Sequence, residues 1–136
     1  MSLVVLAAVA TAAGVTSIGV ASGTVAGKPA TIVVDGRGVT VYELGGESLV
    51  HLQCVTRACF NVWQPLKVPS AASRPGKAAR VPGKLSVMRR VLAGFYQLML
   101  NRHPLYYFSG DRGRKGSTKG QGIKSYGGTW HVVRVG

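Results

Sequence analysis

Apolar and β-branched residues along this chain fall in short runs, broken every few positions by Gly, Pro, Asn or Asp. Ala30 to Val34 and Val39 to Leu44 flank Asp35-Gly36-Arg37-Gly38, and two β-forming runs around an Asp-Gly turn predict a hairpin. Leu85 to Val91 and Phe95 to Leu100 form a second pair around Ala93-Gly94. Asn101-Arg102-His103-Pro104 then turns the chain into Leu105 to Phe108, and Trp130 to Val135 closes it. Between these runs, Ser48 to Phe60 reads as a loop with at most one helical turn, and Pro65 stops any helix there. Ser70 to Lys84 keeps no apolar period and reads as a mobile basic connection. Asp111 to Gly128 is Gly-rich and basic, and is expected to be too flexible to form a packed element.

The two halves echo each other. Tyr42 is followed five positions on by Glu47 and later by Trp63; Tyr106 is followed five positions on by Asp111 and later by Trp130. The pattern predicts a small all-β domain over 30–135, built from two hairpin-based repeats. Repeat one covers about 30–68, the basic linker 70–84, and repeat two 85–135. Tyr42, Trp63, Tyr106, Phe108 and Trp130 are its expected core, since these side chains bury large apolar area and, for Tyr and Trp, keep one polar tip. Asp111, at the end of an aromatic strand, reads either as a carboxylate bracing the following loop or as a ligand-facing acid.

Upstream, Leu3 to Ala26 is apolar or small, with no Lys or Arg before Lys28. Residues 1–26 read as a signal-peptide-like segment, with Thr24 and Ala26 as small residues before a cut. A retained membrane segment is the alternative. Export to a secreted, periplasmic or cell-envelope location favours a disulfide between Cys54 and Cys59 over a redox motif or half a metal site.

The 136 residues carry a net charge of +13, with Asp35, Glu43, Glu47 and Asp111 the only acids. Such a balance attracts polyanions. Arg112, Arg114, Lys115, Lys119 and Lys124 lie among glycines in one loop and are the candidate polyanion-binding residues. For an exported protein, the anions first met are cell-envelope polymers and lipid headgroups. Four acids leave few combinations for a two-carboxylate hydrolase. No Gly-x-Ser-x-Gly elbow occurs, and Thr118 to Gly122 lacks the Gly-Lys-Ser/Thr ending of a phosphate loop. No catalytic set and no cofactor are therefore expected. A metal or redox site drawn from His51, His103, His131 and the cysteines is a second reading. A basic nucleic-acid binder is a third, although no groove-reading module accompanies the charge.

Tyr106-Tyr107-Phe108-Ser109-Gly110-Asp111 resembles the motif Tyr-x-(Phe/Trp/Tyr)-x-x-Asp of predicted bacterial and archaeal lipoproteins, a secreted repeat of unknown function. Gly94 through Tyr106 is similar to that family's strand–turn–strand entry. Val34 to Tyr42, Cys59 to Leu66 and Gly127 to Val133 resemble its opening hairpin, its Cys-to-Trp segment and its closing strand. The first repeat departs from the motif, reading Tyr42-Glu43-Leu44-Gly45-Gly46-Glu47, and the Cys pair is one residue wider than is usual. Leu98 and Leu100 stand where an aromatic pair is typical, and the lipid-bearing Cys of relatives is absent. The resemblance implies an exported, cell-envelope-associated module of unknown molecular function and no known catalytic residues.

Overall fold

A computed structural model describes residues 14–135. Strands β1 (Ser17–Val25) and β2 (Lys28–Asp35) pair antiparallel across Ala26-Gly27, with φ of 50° and 79°. That left-handed two-residue turn matches the twist of the strands it joins. The Asp-Gly turn leads to β3 (Tyr42–Leu44). Helix α1 (Arg57–Val62) starts at Thr56, whose hydroxyl accepts a hydrogen bond from the Cys59 amide, and ends in β4 (Trp63–Pro65) and β5 (Lys67–Val68). After β6 (Gly76–Lys77), β7 (Leu85–Arg90) and β8 (Phe95–Leu100) form the second long hairpin. Next come β9 (His103–Pro104), β10 (Tyr106–Phe108) and a 3-10 turn at Ser109–Asp111. Strands β11 (Lys124–Ser125) and β12 (Gly128–Val132) end the fold.

The central sheet has the order β11-β12-β3-β10-β4. At its middle, Tyr106 lies opposite Tyr42. Moving outward, Trp63 is opposite Phe108 on one side and Trp130 opposite Leu44 on the other. Each pairing on one side therefore has its counterpart on the other, and an approximate two-fold axis runs between β3 and β10.

The same register shows an exchange of strands. Trp63 belongs to repeat one, yet its strand pairs with β10, and β5 pairs with β8 of repeat two. Trp130 belongs to repeat two, yet β12 pairs with β3, while Ile32 bridges to Arg134. The backbone bonds agree: Val33 donates to the Val133 carbonyl and Leu98 to the Leu66 carbonyl, both at 2.8 Å. Each closing strand is thus seated on the hairpins of the other repeat. Two apolar clusters fill the two sides. One holds the four large aromatics Tyr42, Trp63, Tyr106 and Trp130 with the cysteines. The other is aliphatic, around Val33, Val41, Leu66, Leu98 and Leu105.

Several expectations are corrected. The domain begins upstream of Ala30, because β1 lies inside the segment read as signal-like. Ile18 and Val25, both 1% exposed, belong to the core, so a cut after Ala26 would remove a strand and two core side chains. Residues 1–13 of that segment lie outside the described residues. By register β1 is the counterpart of β7 in the other half: Gly23 pairs with Ala30 as Arg90 pairs with Phe95. Repeat one therefore extends from Ser17 to Val68. The connection 70–84 is not free of the fold either. Gly76–Lys77 runs parallel to Ser17-Ile18, and Val81 is fully buried. The loop after Asp111 is likewise held, by hydrogen bonds described below. Of the expected core aromatics, Phe108 is only half-buried, while the other four are fully buried.

Candidate functional site

The strand exchange brings the two Tyr–acid pairs to the symmetry axis and crosses them. The Tyr42 hydroxyl donates to Asp111 Oδ2 at 2.6 Å, and the Tyr106 hydroxyl donates to Glu47 Oε1 at 2.7 Å. Neither tyrosine bonds the acid of its own repeat. Their ring partners are the two tryptophans, stacked on each other with centroids 3.8 Å apart and planes 3° from parallel. Tyr42 meets Trp63 edge-on, Tyr106 meets Trp130 edge-on, and Phe108 stacks on Trp63. Burial, together with the carboxylate that accepts each hydroxyl, pushes both phenols well above the ordinary tyrosine range. They are donors at any ordinary pH.

The second oxygen of each acid holds a loop. Glu47 Oε2 accepts the amides of Gln53 and Cys54, each at 2.8 Å. Asp111 Oδ1 accepts the Ser117 hydroxyl at 2.6 Å and the Lys119 amide at 3.0 Å. The first of these loops is also closed by the Cys54–Cys59 disulfide. The second is fastened by Gly120, whose amide donates to the Tyr42 hydroxyl at 3.2 Å. A Cβ at Gly120 would sit 2.8 Å from the Tyr42 ring and 3.0 Å from the Trp63 ring, so only glycine allows this approach.

One half carries more. Arg90, 5% exposed, donates from Nη2 to the Tyr106 hydroxyl at 2.6 Å and from Nε to Gln97 Oε1 at 2.8 Å. Gln97 in turn donates to the Leu105 carbonyl. The buried guanidinium and the buried Glu47 carboxylate are thus joined through one phenol. In the other half these positions are Gly23 and Ile32, and no such chain exists. The tryptophans differ too. Trp130 Nε1 donates to Ser125 Oγ at 3.0 Å, while Trp63 Nε1 is buried with no partner among the described residues.

A third carboxylate, Asp35, also links the repeats. It accepts from the Arg37 amide and side chain, the Val39 amide and, at 2.7 Å, the Tyr107 hydroxyl. Burial alone would raise its pKa. The donors, Tyr107 foremost, outweigh that and hold it below the ordinary carboxyl value. Glu43 shows the opposite, raised by burial while the His103 charge pulls it down.

Of the residues singled out in the sequence, Tyr42, Glu47, Trp63, Tyr106, Asp111 and Trp130 therefore form one cluster. Asp111 serves as the loop-bracing carboxylate. Arg112, Arg114, Lys115, Lys119 and Lys124 are exposed along the loop that it holds. The suggested metal set does not assemble. The cysteines are bonded to each other, His103 Nδ1 lies 2.8 Å from the Glu47 carbonyl, and His131 lies beside Gln121. Among the described residues, no group of three or more His, Cys, Asp or Glu is placed to hold a metal ion. Arg90 escaped the sequence reading, and Gln97 entered it only as a position in the stretch that is similar to the family's strand–turn–strand entry. The adjacent Arg89-Arg90 at the end of a strand, which places one guanidinium on each face, was the available signal.

Residues 93–134 match the model of a family described as a secreted repeat of unknown function, the family that the motif at Tyr106–Asp111 resembles. The matched stretch contains β8 through β12 and so the crossed partners Tyr106, Asp111 and Trp130. No curated protein and no solved structure matches the chain. No helix among the described residues is long and apolar enough to cross a membrane.

Proposed function

We propose that the protein is an exported, non-catalytic module that attaches to anionic polymers or headgroups of the cell envelope through the basic loop 111–124. The observation that supports this is the placement of charge. Asp35, Glu47 and Asp111 are at most 5% exposed and spend their oxygens on internal donors. Arg112, Arg114, Lys115, Lys119 and Lys124 face solvent. Three of the four acids are turned inward and these five cations outward, which leaves the surface around the loop with little to repel a polyanion. The same burial supports a non-catalytic reading, because both motif carboxylates already have their donors and neither opens onto a substrate. Asp111 orders the backbone that carries the cations, so the crossed pairs act by shaping a binding ledge.

Replacing all five cations with Gln tests this. Binding of the parent to anionic vesicles, wall polymer and DNA is expected to fall steeply with salt as counterions are released. The variant should bind all three more weakly, with its melting temperature nearly unchanged, since exposed charges contribute little to stability. A variant that binds every polyanion as tightly as the parent would overturn the proposal.

A further inference from the structure

The turn between β7 and β8 has an unusual composition. It spans Val91 to Gly94, with both the Ala93 and Gly94 amides returning to the Arg90 carbonyl and Gly94 at φ 74°. The apex residues are Val91, 73% exposed, and Leu92, 104% exposed. Turns favour Gly, Asn, Asp or Ser for conformational reasons, and two bare aliphatics at a hairpin tip gain nothing from folding. The corresponding turn of repeat one is Ala26-Gly27, so the fold does not require them. A solvated tip with no packing role is a place to look for a partner.

Its surroundings narrow the partner. Leu92 lines a groove shared with Val55, Arg57, Phe60, Lys67 and Phe95. Val55 is 57% exposed. Phe60 and Phe95 meet edge-to-face, and the Lys67 ammonium lies 4.7 Å from the Phe95 ring centre. Arg57 and Lys67 are exposed at its rim, and no acid lines the groove. Aliphatics at the apex, aromatics behind them and cations around the rim repeat the layering of a bilayer surface, from acyl chain through interface to anionic headgroup. The apex is convex and narrow. A rigid protein partner would need a matching hole, whereas a fluid bilayer needs none.

We infer that the β7–β8 tip is a membrane-docking wedge, in which Val91 and Leu92 enter the interface of an anionic bilayer and Arg57 and Lys67 contact its headgroups. This rests on the anionic-surface reading above and adds the lipid as the surface and the tip as the point of entry.

The full chain is titrated with vesicles of phosphatidylglycerol and phosphatidylcholine, and with pure phosphatidylcholine, at low and high salt. The variant Val91→Ser/Leu92→Ser is compared with the parent and with the five-cation loop variant. Leu92→Trp is added as a depth probe against the buried native tryptophans. The tip variant should lose about tenfold in affinity for anionic vesicles, from the lost transfer of two aliphatic side chains, and nearly all binding at high salt. Its binding to soluble wall polymer should not change. Leu92→Trp should show a blue-shifted emission with anionic vesicles. If the tip variant matches the parent on vesicles and Leu92→Trp shows no shift, the wedge is wrong, and salt-sensitive binding that persists leaves the broader reading standing. If neither vesicles nor polymer binds the parent, both fail. A parent dimer that the tip variant converts to monomer would overturn the wedge in favour of contact between copies.

Discussion

Tyr106 has a heavier duty than Tyr42, although the two occupy equivalent places. Removing the Tyr42 hydroxyl takes the partner of the neutral Gly120 amide and leaves Asp111 with the Ser117 and Lys119 donors, and Tyr42→Phe should cost about 1–2 kcal/mol. Removing that of Tyr106 deprives both a buried guanidinium and a buried carboxylate of a partner. Tyr106→Phe should therefore cost about 3 kcal/mol or more. Urea midpoints at unchanged slope measure both, and equal losses would show that the Arg90 link carries no weight. Asp35 supplies a pH signature. Its pKa is lowered on folding from the ordinary 3.8, so its contribution is fully present above that value and is lost as pH falls through the folded one. Asp35→Asn should be less stable than the parent at neutral pH and should flatten the stability curve below about pH 4. Melting temperatures measured from pH 2 to 7 decide it, and two parallel curves would refute it.

At the scale of elements, the stacked tryptophans hold the two closing strands together across the axis. Trp130→Ala removes a fully buried ring together with its contact to Trp63, and should cost about 3–5 kcal/mol by chemical denaturation. The strands themselves were legible where their composition was strong. The pair Leu85 to Leu100 and the aromatic run at Tyr106 follow local preferences that the tertiary structure keeps, whereas the hairpin expected around Asp35-Gly36 is reduced to its turn and the single bridge of Val34 with Thr40, because β2 pairs with β1 and β3 with β10 and β12. Strand β1 was not legible, because Ser17–Val25 is rich in Gly, Ala, Ser and Thr and its composition equally suits an export signal. The repeat offered the missing clue. If Leu85–Arg90 precedes the second hairpin strand, a counterpart must precede Lys28–Asp35. The loop after Asp111 was misjudged for another reason. Its order comes from the carboxylate at its head, a distant phenol and a glycine admitted for closeness, none of which leaves a periodic trace in sequence.

Over the whole molecule, the exchange of strands makes the sequence repeat and the folding unit different things. A duplication suggests two modules that could each fold alone. Here repeat two lacks, within itself, the acceptor for Tyr106, the carbonyl that receives the Leu98 amide and the strand that pairs with β10. All three come from residues 47–66. Repeat one has the converse need, since Tyr42, Val33 and β3 are completed by residues 111–133. Pairwise symmetry in sequence cannot reveal this, because an exchanged and an unexchanged pairing place the same residue types side by side. A fragment of residues 84–136 should thus be largely unfolded, with its Trp130 emission close to that of exposed indole and amide signals of low dispersion. Residues 1–83 should behave likewise. Mixing the two under oxidising conditions should restore the folded spectrum with one-to-one stoichiometry, because the break between Gly83 and Lys84 falls outside every strand and leaves the crossed partners intact. If the second fragment instead folds alone as a monomer with native-like dispersion, the crossed pairs are dispensable and each repeat can close on itself. A fragment that folds only as a dimer would support the exchange, since a second copy could supply the strand and the acid that repeat one supplies in the intact chain.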